Sequence, residues 1–220
     1  MISHPDEGPR TAVVLAGGDP PSPAVLGEIP TEALVVAADS GLDHAQAIGL
    51  EVDLVVGDFD SVSPEALARA EGIPFERHPT DKDRTDLELA LDSVARLEVD
   101  RVIVVGGHGG RLDHFVANLC LIASPAYRHL DLEWLAGRDR IHVIRSATEL
   151  HGAPGDLVTL LAWEGPAGGV QTHGLRWVLD GERLEPGSTR GVSNLMARPV
   201  ATVGLVSGTL LAIQPGAIDP

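Results

Sequence analysis

The clearest indication of the fold is the segment Leu54-Val55-Val56-Gly57-Asp58-Phe59-Asp60-Ser61, an apolar run that ends in two closely spaced aspartates. Short Val-rich runs without polar residues are typical of strands buried on both faces of a parallel sheet. Three further runs of this kind are Ala12–Ala16, Ala33–Ala38 and Arg101–Val105. The sequence therefore predicts at least four strands of a parallel sheet.

Helical patterns lie between these runs. Ser63-Pro64 predicts an N-cap and a proline at the first position of a helix that continues to about Ala70. Apolar residues recur at helical spacing from Leu87 to Leu97, with Thr85 or Asp86 as the cap, and again over residues 112–122. This alternation of strands and helices predicts an α/β domain with a doubly wound, mostly parallel sheet.

The last third of the chain has a different pattern. After about residue 135 the helical periodicity fades, and short β-prone segments follow at 141–144, 157–162, 169–172, 200–206 and 209–213. Ser207-Gly208 predicts a tight hairpin turn between the last two segments. Short strands with frequent turns predict a small C-terminal β-sandwich. We place the boundary between residues 138 and 139, giving domains 1–138 and 139–220.

Composition excludes several classes of protein. The 220 residues include 32 Asp+Glu against 16 Lys+Arg, a formal net charge of −16, so binding to nucleic acid or to anionic membranes is disfavoured. One cysteine cannot form an internal disulfide. No apolar run approaches the ~20 residues of a membrane span, and the polar first ten residues lack a signal-peptide pattern. We expect a cytoplasmic protein.

Aspartates follow the predicted strands and open the next helices. They are Asp39, Asp58 and Asp60, the group Asp81, Asp83 and Asp86, and Asp113. Any one of them could simply cap a helix. Because ligands of open α/β sheets bind where strands end, four such loops would bring their carboxylates to one edge. Carboxylates in a cluster repel one another unless a cation lies among them, and Mg²⁺ prefers such oxygen ligands.

Glycines and cations complete this pattern. Gly106-Gly107-His108-Gly109-Gly110 precedes a predicted helix, so its backbone N–H groups could approach an anion closely. Arg111, Arg84 and Lys82, the only lysine, are placed to meet phosphate oxygens. The glycine run matches neither a Walker A motif nor the dinucleotide fingerprint. The residues together favour a site for Mg²⁺ and a nucleotide.

Several motifs occur together, in a fixed order and spacing. They are Ala38-Asp39-Ser40-Gly41, Gly57-Asp58-Phe59-Asp60-Ser61, the segment Asp81–Asp86, Gly109-Gly110-Arg111-Leu112-Asp113-His114, Thr172-His173-Gly174-Leu175 and Gly191-Val192-Ser193-Asn194. This combination resembles the thiamine pyrophosphokinase family over roughly residues 12 to 213.

The resemblance implies a fold, a reaction and an assembly. It implies an N-terminal α/β domain that binds Mg²⁺-ATP and a C-terminal β-sandwich for thiamine binding and dimerisation. The reaction would transfer the diphosphate of ATP to the hydroxyl of thiamine, giving thiamine diphosphate and AMP. The protein would work as a homodimer, with each active site at the subunit interface.

The same resemblance implies roles for individual residues. The metal ligands would be Asp58, Asp60 and Asp86, which together with Asp113 would form the catalytic group. ATP and its phosphates would contact Asp39, Lys82, Arg84, Gly109, Gly110 and Arg111. Thiamine would contact Asp86, Asp113, Ser193, Asn194 and Trp177. Either Asp86 or Asp113 would accept the hydroxyl proton.

Three alternatives stay open on the sequence alone. A phosphatase of the haloacid dehalogenase type would use Asp58 as nucleophile and Asp60 as acid/base, although that motif normally lies nearer the N-terminus. A diphosphokinase could act on another alcohol, such as a hydroxymethylpterin, because only 7 Phe, Tyr and Trp residues are available to stack on thiamine rings. A non-catalytic nucleotide-binding module would bind Mg²⁺-ATP without forming AMP.

Overall fold

A computed structural model describes residues 10–218. These residues form two compact units, the first made of residues 10–121 with His129–Asp131, and the second of Ile122–Arg128 with residues 132–218. The functional division at residue 138 stays a prediction. Residues 1–9, on which the expectation of no signal peptide rests, lie outside the described part. Within that part no helix is both long enough and apolar enough to cross a bilayer.

The first unit contains a parallel sheet of five strands, as the sequence predicts. The strands are β1 (Thr11–Leu15), β2 (Leu34–Ala38), β3 (Leu54–Gly57), β4 (Phe75–Arg77) and β5 (Arg101–Val105). Their order across the sheet is β4-β3-β2-β1-β5, and every pair is parallel. Leu15 is in register with Ala37 and Val105, and Ala38 with Val56, so β1, β2, β3 and β5 end nearly level with one another.

Helices follow the strands at the positions expected from capping. They are α1 (Gly41–Ile48), α2 (Pro64–Arg69), α3 (Asp86–Ala95) and α4 (Leu112–Ile122), with 3-10 helices at Pro23–Glu28 and Pro125–Tyr127. Ser63 caps α2 by accepting a hydrogen bond from Ala66 N at 3.1 Å. Of the two candidate caps of α3, Thr85 is the one observed, and its Oγ1 accepts from Glu88 N at 3.2 Å. Both predicted starts are confirmed.

Burial explains why the strand sequences are almost purely aliphatic. The central residues of β1, β2, β3 and β5 are close to fully buried. A cluster that includes Leu42 of α1, Ala66 of α2 and Phe59 packs against β2 and β3. A sheet covered in this way leaves only its strand ends for polar side chains.

The second unit is an antiparallel β structure, which confirms the predicted fold class. Its strands are β6 (Asp131–Ala136), β7 (Asp139–Ile144), β8 (Ala147–His151), β9 (Leu157–His173), β10 (Asp180–Leu184), β11 (Asn194–Leu195), β12 (Val200–Gly204) and β13 (Ser207–Gln214). They pair in the order β6-β7-β13-β9-β12-β8, with β10 and β11 also on β9. Its core is aliphatic and includes Leu150, Val170 and Leu210.

Two details of the sequence prediction are wrong in this unit. The segments 157–162 and 169–172 belong to one 17-residue strand, β9, whose first half pairs with β13 and whose second half pairs with β10 and β12. Ser207-Gly208 is the start of β13 and not a hairpin turn, because β12 pairs with β8 and β9 whereas β13 pairs with β7 and β9. Local turn signals cannot report which distant strand a segment will join.

Candidate active site

A cavity of about 560 Å³ lies at the carboxyl ends of the parallel strands. Its lining comes from the loops after β1, β2, β3 and β5 and from the start of α3, and includes Asp19, Asp39, Ser61, Asp86 and Arg111. Because the strands end level with one another, loops that are far apart in the sequence meet at this edge of the sheet. A ligand in the cavity can therefore be contacted by residues from each of these loops.

Three aspartates meet beside this cavity. Asp39, Asp58 and Asp60 each offer a carboxylate oxygen, and these oxygens lie within 4.8 Å of one another. Asp39 is only 7% exposed, and its Oδ1 is buried and accepts no hydrogen bond within the described chain. Burial raises the pKa of Asp39, and the neighbouring carboxylates raise it further. A buried carboxylate oxygen without a donor is an unfavourable group that a bound cation would satisfy.

Lys82 supplies positive charge to this cluster. Its Nζ lies 2.5 Å from Asp58 Oδ2 and 3.0 Å from Asp86 Oδ1, and its side chain is 14% exposed. The hydrogen bond from Lys82 lowers the pKa of Asp58. The pKa of Asp58 is therefore lowered and that of Asp39 raised, although both carboxylates face the same small volume.

Gly57 allows the carboxylates to come this close. It ends β3 with φ 147°, and a Cβ built on it would lie 3.0 Å from Asp86 Oδ1 and 3.3 Å from Asp39 Cβ. Asp39 itself adopts φ 47°, a left-handed conformation that is uncommon for a residue other than glycine. Backbone strain of this kind is concentrated at functional sites.

The oxygen-only donor set fits a hard divalent cation. The carboxylates of Asp39, Asp58 and Asp60 match the ligands that Mg²⁺ prefers and offer no nitrogen or sulfur for zinc. Lys82 joins Asp86 to this group, and its ammonium balances only part of the charge. The three aspartates can therefore hold a metal beside the cavity.

Two glycine-rich loops form the other side of the cavity. Gly107, Gly109 and Gly110 all have positive φ, so the loop after β5 exposes backbone groups that side chains would otherwise cover. The loop after β1 is bound to it, because Gly107 N donates to Gly17 O at 2.7 Å and Asp19 N donates to His108 O at 2.8 Å. Such a surface is suited to phosphate groups.

Sequence reasoning missed part of this lining. Gly17, Gly18, Asp19 and Asn118 all face the cavity. Asn118 donates from Nδ2 to Gly107 O at 2.8 Å and so fixes the loop from α4. The signal for the first three was the glycine pair that follows β1 directly. Asn118 carried no signal, because its role depends on how α4 packs.

Two cations and one acid expected in the site have other partners. Arg111 lines the cavity, but its Nη2 lies 2.5 Å from Asp113 Oδ2. Asp113 is exposed and does not line the cavity, and the hydrogen bond from Arg111 lowers its pKa to about 2. Arg84 donates from Nη1 to Asp92 Oδ2 at 2.9 Å, also away from the lining residues.

The second unit has a groove of its own, of about 470 Å³, which we call the Trp177 groove. It is lined by Arg176, Trp177, Val178, Leu179, Arg190, Gly191 and Asn194. Asn194 donates from Nδ2 to Trp177 O at 2.7 Å and accepts from Trp177 N at 3.1 Å. Trp177 is 54% exposed, and the Arg176 guanidinium lies 5.0 Å from its ring centroid. Ser193 does not line this groove, and its N–H donates to Thr159 Oγ1 at 3.1 Å.

Comparison with known proteins identifies the family. The family model described as the thiamin pyrophosphokinase catalytic domain matches residues 28–133, and the one described as the thiamin pyrophosphokinase vitamin B1 binding domain matches residues 140–210. The chain belongs to the thiamine pyrophosphokinase family. It is therefore an enzyme of thiamine diphosphate formation, and the phosphatase and the non-catalytic alternatives lose their support.

Individual relatives agree with this assignment. The thiamine pyrophosphokinase of Bacillus subtilis is 23% identical over 218 residues, which cover 93% of this chain and 98% of the relative. Its crystal structure superposes with a TM-score of 0.83 and covers 94% of this chain and 99% of the other. A thiamin pyrophosphokinase family protein from Enterococcus faecalis, 26% identical, superposes with a TM-score of 0.75 over 94% of this chain and 98% of its own.

Proposed function

We propose that this enzyme transfers the diphosphate of ATP to the hydroxyl of thiamine in a Mg²⁺-dependent reaction, giving thiamine diphosphate and AMP. The observation that carries the proposal is the meeting of Asp39, Asp58 and Asp60 within 4.8 Å beside a cavity lined by two glycine-rich loops. Transfer of a charged diphosphate depends mainly on positioning and charge neutralisation, and these residues can supply both.

Asp58, Asp60 and Asp86 are the proposed metal ligands, with Asp39 beside them. Bound there, Mg²⁺ would neutralise charge on the transferred phosphates. Ionised Asp58 suits a ligand role, because the hydrogen bond that lowers its pKa also keeps it deprotonated. The orphaned Oδ1 of Asp39 favours positive charge in the same volume.

The glycine loop after β5 is the proposed phosphate-binding surface. Gly109 and Gly110 would donate backbone hydrogen bonds, and Arg111 and Lys82 would meet phosphate oxygens. Arg111 would have to leave Asp113 or contact both groups. Arg84, which lies on Asp92, would have to change partner to take part.

Thiamine is the proposed acceptor and its hydroxyl the nucleophile. As the new bond to the β-phosphorus forms, AMP leaves and the hydroxyl proton passes to a carboxylate. Asp86 is favoured over Asp113, because Asp86 lines the cavity whereas Asp113 is exposed and lies outside the lining. Ser193, Asn194 and Trp177 are the proposed thiamine contacts of the second unit.

The proposal includes a homodimer with active sites at the subunit interface, in the cytoplasm. A dimer would let each thiamine be contacted by groups from both subunits. Sedimentation equilibrium of the purified chain tests this part separately, and a monomer that retains full activity would contradict it.

The decisive experiment incubates the enzyme with Mg²⁺, ATP and thiamine and measures AMP and thiamine diphosphate by chromatography. Asp58→Asn should lower turnover at least about 100-fold, as expected when charge stabilisation is removed from a phosphoryl-transfer site. Asp83→Asn is the matched control, because Asp83 lies in the same segment with its side chain 98% exposed. Absence of both products with folded protein, or full activity in Asp58→Asn, would contradict the proposal. If AMP forms only when a hydroxymethylpterin replaces thiamine, that alcohol and not thiamine is the acceptor.

A further inference from the structure

Lys82 occupies an unusual position for a cation in a metal site. The chain's only lysine binds Asp58 and Asp86, two of the three proposed metal ligands, at 2.5 and 3.0 Å. The backbone N–H of Lys82 donates to Thr80 O at 3.1 Å and so links these two residues of the loop before α3. The ammonium therefore uses carboxylate oxygens that a metal ion at this site would also need.

An ammonium and a divalent cation compete for the same oxygen lone pairs. Carboxylates packed this closely repel one another when no cation is present. Lys82 donates a hydrogen bond to Asp58 and makes an ion-pair contact with Asp86, but the buried Oδ1 atoms of Asp39 and Asp86 still lack a hydrogen-bond donor. One ammonium therefore neutralises only part of the negative charge of the cluster, so binding of a second cation is still favourable.

We propose that Lys82 is a resident counter-ion that the metal displaces, and that the released ammonium then binds the nucleotide phosphates. The inference rests on the proposed function, since it takes Mg²⁺ and ATP as the ligands of this site. A lysine on a flexible four-carbon stem can change partner without moving the backbone. Metal that enters alone leaves the ammonium without a partner, whereas metal that enters with nucleotide gives it a phosphate.

Lys82 therefore couples the two ligands. The metal should bind weakly to the free enzyme and much more tightly in the presence of nucleotide, and by linkage the nucleotide should gain equally from the metal. Without Lys82 the free carboxylates should bind metal more tightly by themselves, and the nucleotide should add less. A residue that only holds the fold together would not produce these opposite changes.

The first measurement is Mn²⁺ binding to the enzyme without nucleotide, followed by electron paramagnetic resonance. Lys82→Met should bind Mn²⁺ roughly tenfold more tightly than the wild type, within the usual range of coupling between sites. Lys82→Arg, which keeps the charge, should stay near the wild type. Arg96→Gln is the control for a general change of charge, because Arg96 contacts Glu76 and Ser93 outside the carboxylate cluster.

The second measurement is the affinity for α,β-methylene ATP, whose α–β bridge cannot be cleaved, with and without Mg²⁺. The ratio of the two affinities should fall at least about fivefold in Lys82→Met relative to the wild type. Effects of Mg²⁺ on the free nucleotide are the same for every variant and cancel in this comparison. Mn²⁺ should also raise the melting temperature of Lys82→Met more than that of the wild type.

The outcomes separate this inference from the function on which it rests. Unchanged or weaker Mn²⁺ binding in Lys82→Met, or an equal gain in Arg96→Gln, would overturn the displacement by metal. If the wild type binds neither Mn²⁺ nor the Mg²⁺-nucleotide, the proposed function itself fails. Should Lys82→Met not fold, Lys82→Gln provides the same test, because it is also neutral and retains a polar end.

Discussion

The two cavities of this enzyme are built in opposite ways. The cavity of the first unit collects carboxylates from loops far apart in sequence, and Lys82, Arg111 and Arg77 are among the cations at or beside it. The Trp177 groove of the second unit has Arg176 and Arg190 but no acid among its lining residues. In the first, backbone geometry forces like charges together. In the second, a single amide, Asn194, bonds to the backbone N–H and C=O of Trp177, whose ring is exposed.

This difference shows where each site gets its precision. In the acidic cavity, the positions of the loops are set by the parallel strands, which end level with one another, and not by the side chains of the loops. The Trp177 groove depends on side-chain hydrogen bonds across 17 residues of sequence. Substitutions should therefore act on charge and backbone strain in the first and on ligand contact in the second.

Among the substitutions that compare the two cavities, the most pronounced change is expected in the Trp177 groove. Trp177→Ala should raise the KM for thiamine roughly tenfold, the size of one lost aromatic contact, and leave the KM for ATP unchanged. Steady-state kinetics in both substrates tests this. Val200→Ala is a suitable control, since Val200 is a partly exposed apolar residue of the same unit outside the groove. A change in the KM for ATP alone would reverse the roles assigned to the two cavities.

A smaller effect is expected at the backbone of the acidic cavity. Gly57→Ala and Gly72→Ala both force a side chain into a positive φ, which costs about 1–2 kcal/mol. A Cβ at Gly72 meets nothing within 4 Å, whereas one at Gly57 would crowd Asp86 and Asp39. Urea unfolding of the metal-free protein should therefore show Gly57→Ala as the less stable variant by about 1 kcal/mol. Equal losses would mean that the carboxylates move aside freely.

The smallest effect concerns the pH dependence of stability. Because burial raises the pKa of Asp39 above 3.8, its ionised form destabilises the folded state above that pH, and protonation removes the penalty as pH falls through the raised pKa. Asp39→Asn should therefore raise the melting temperature of the metal-free protein by about 2 °C at neutral pH. The gain should vanish when the pH falls below about 3.5, where Asp39 is protonated in both states.

Thermal melts across this pH range, with Asp83→Asn as the exposed control, provide the measurement. A gain that persists in acid would mean that the buried negative charge of Asp39 is not its cause.

Much of the first unit could be predicted from the sequence, and less of the second. The aliphatic runs from Ala12 and Arg101 predicted β1 and β5 because a strand buried on both faces has almost no other composition. Short edge strands such as β4 (Phe75–Arg77) lack that signature, since edge strands are only partly buried. The course of β9 could not be predicted either, because it depends on pairing with β13, whose partner residues lie 39 to 54 positions further along the chain.

The amino-acid sequence predicts the parallel sheet, the strand-end aspartates and the glycine loop, because buried strands are aliphatic and helix starts carry capping residues. Three features are visible only in the folded chain: Lys82 binds Asp58 and Asp86, Asn118 fixes the glycine loop, and Asp113 faces Arg111 rather than the cavity. These contacts depend on where side chains from different loops finally lie. The periodicity of apolar residues and the spacing of motifs along the chain do not indicate which distant side chains will meet.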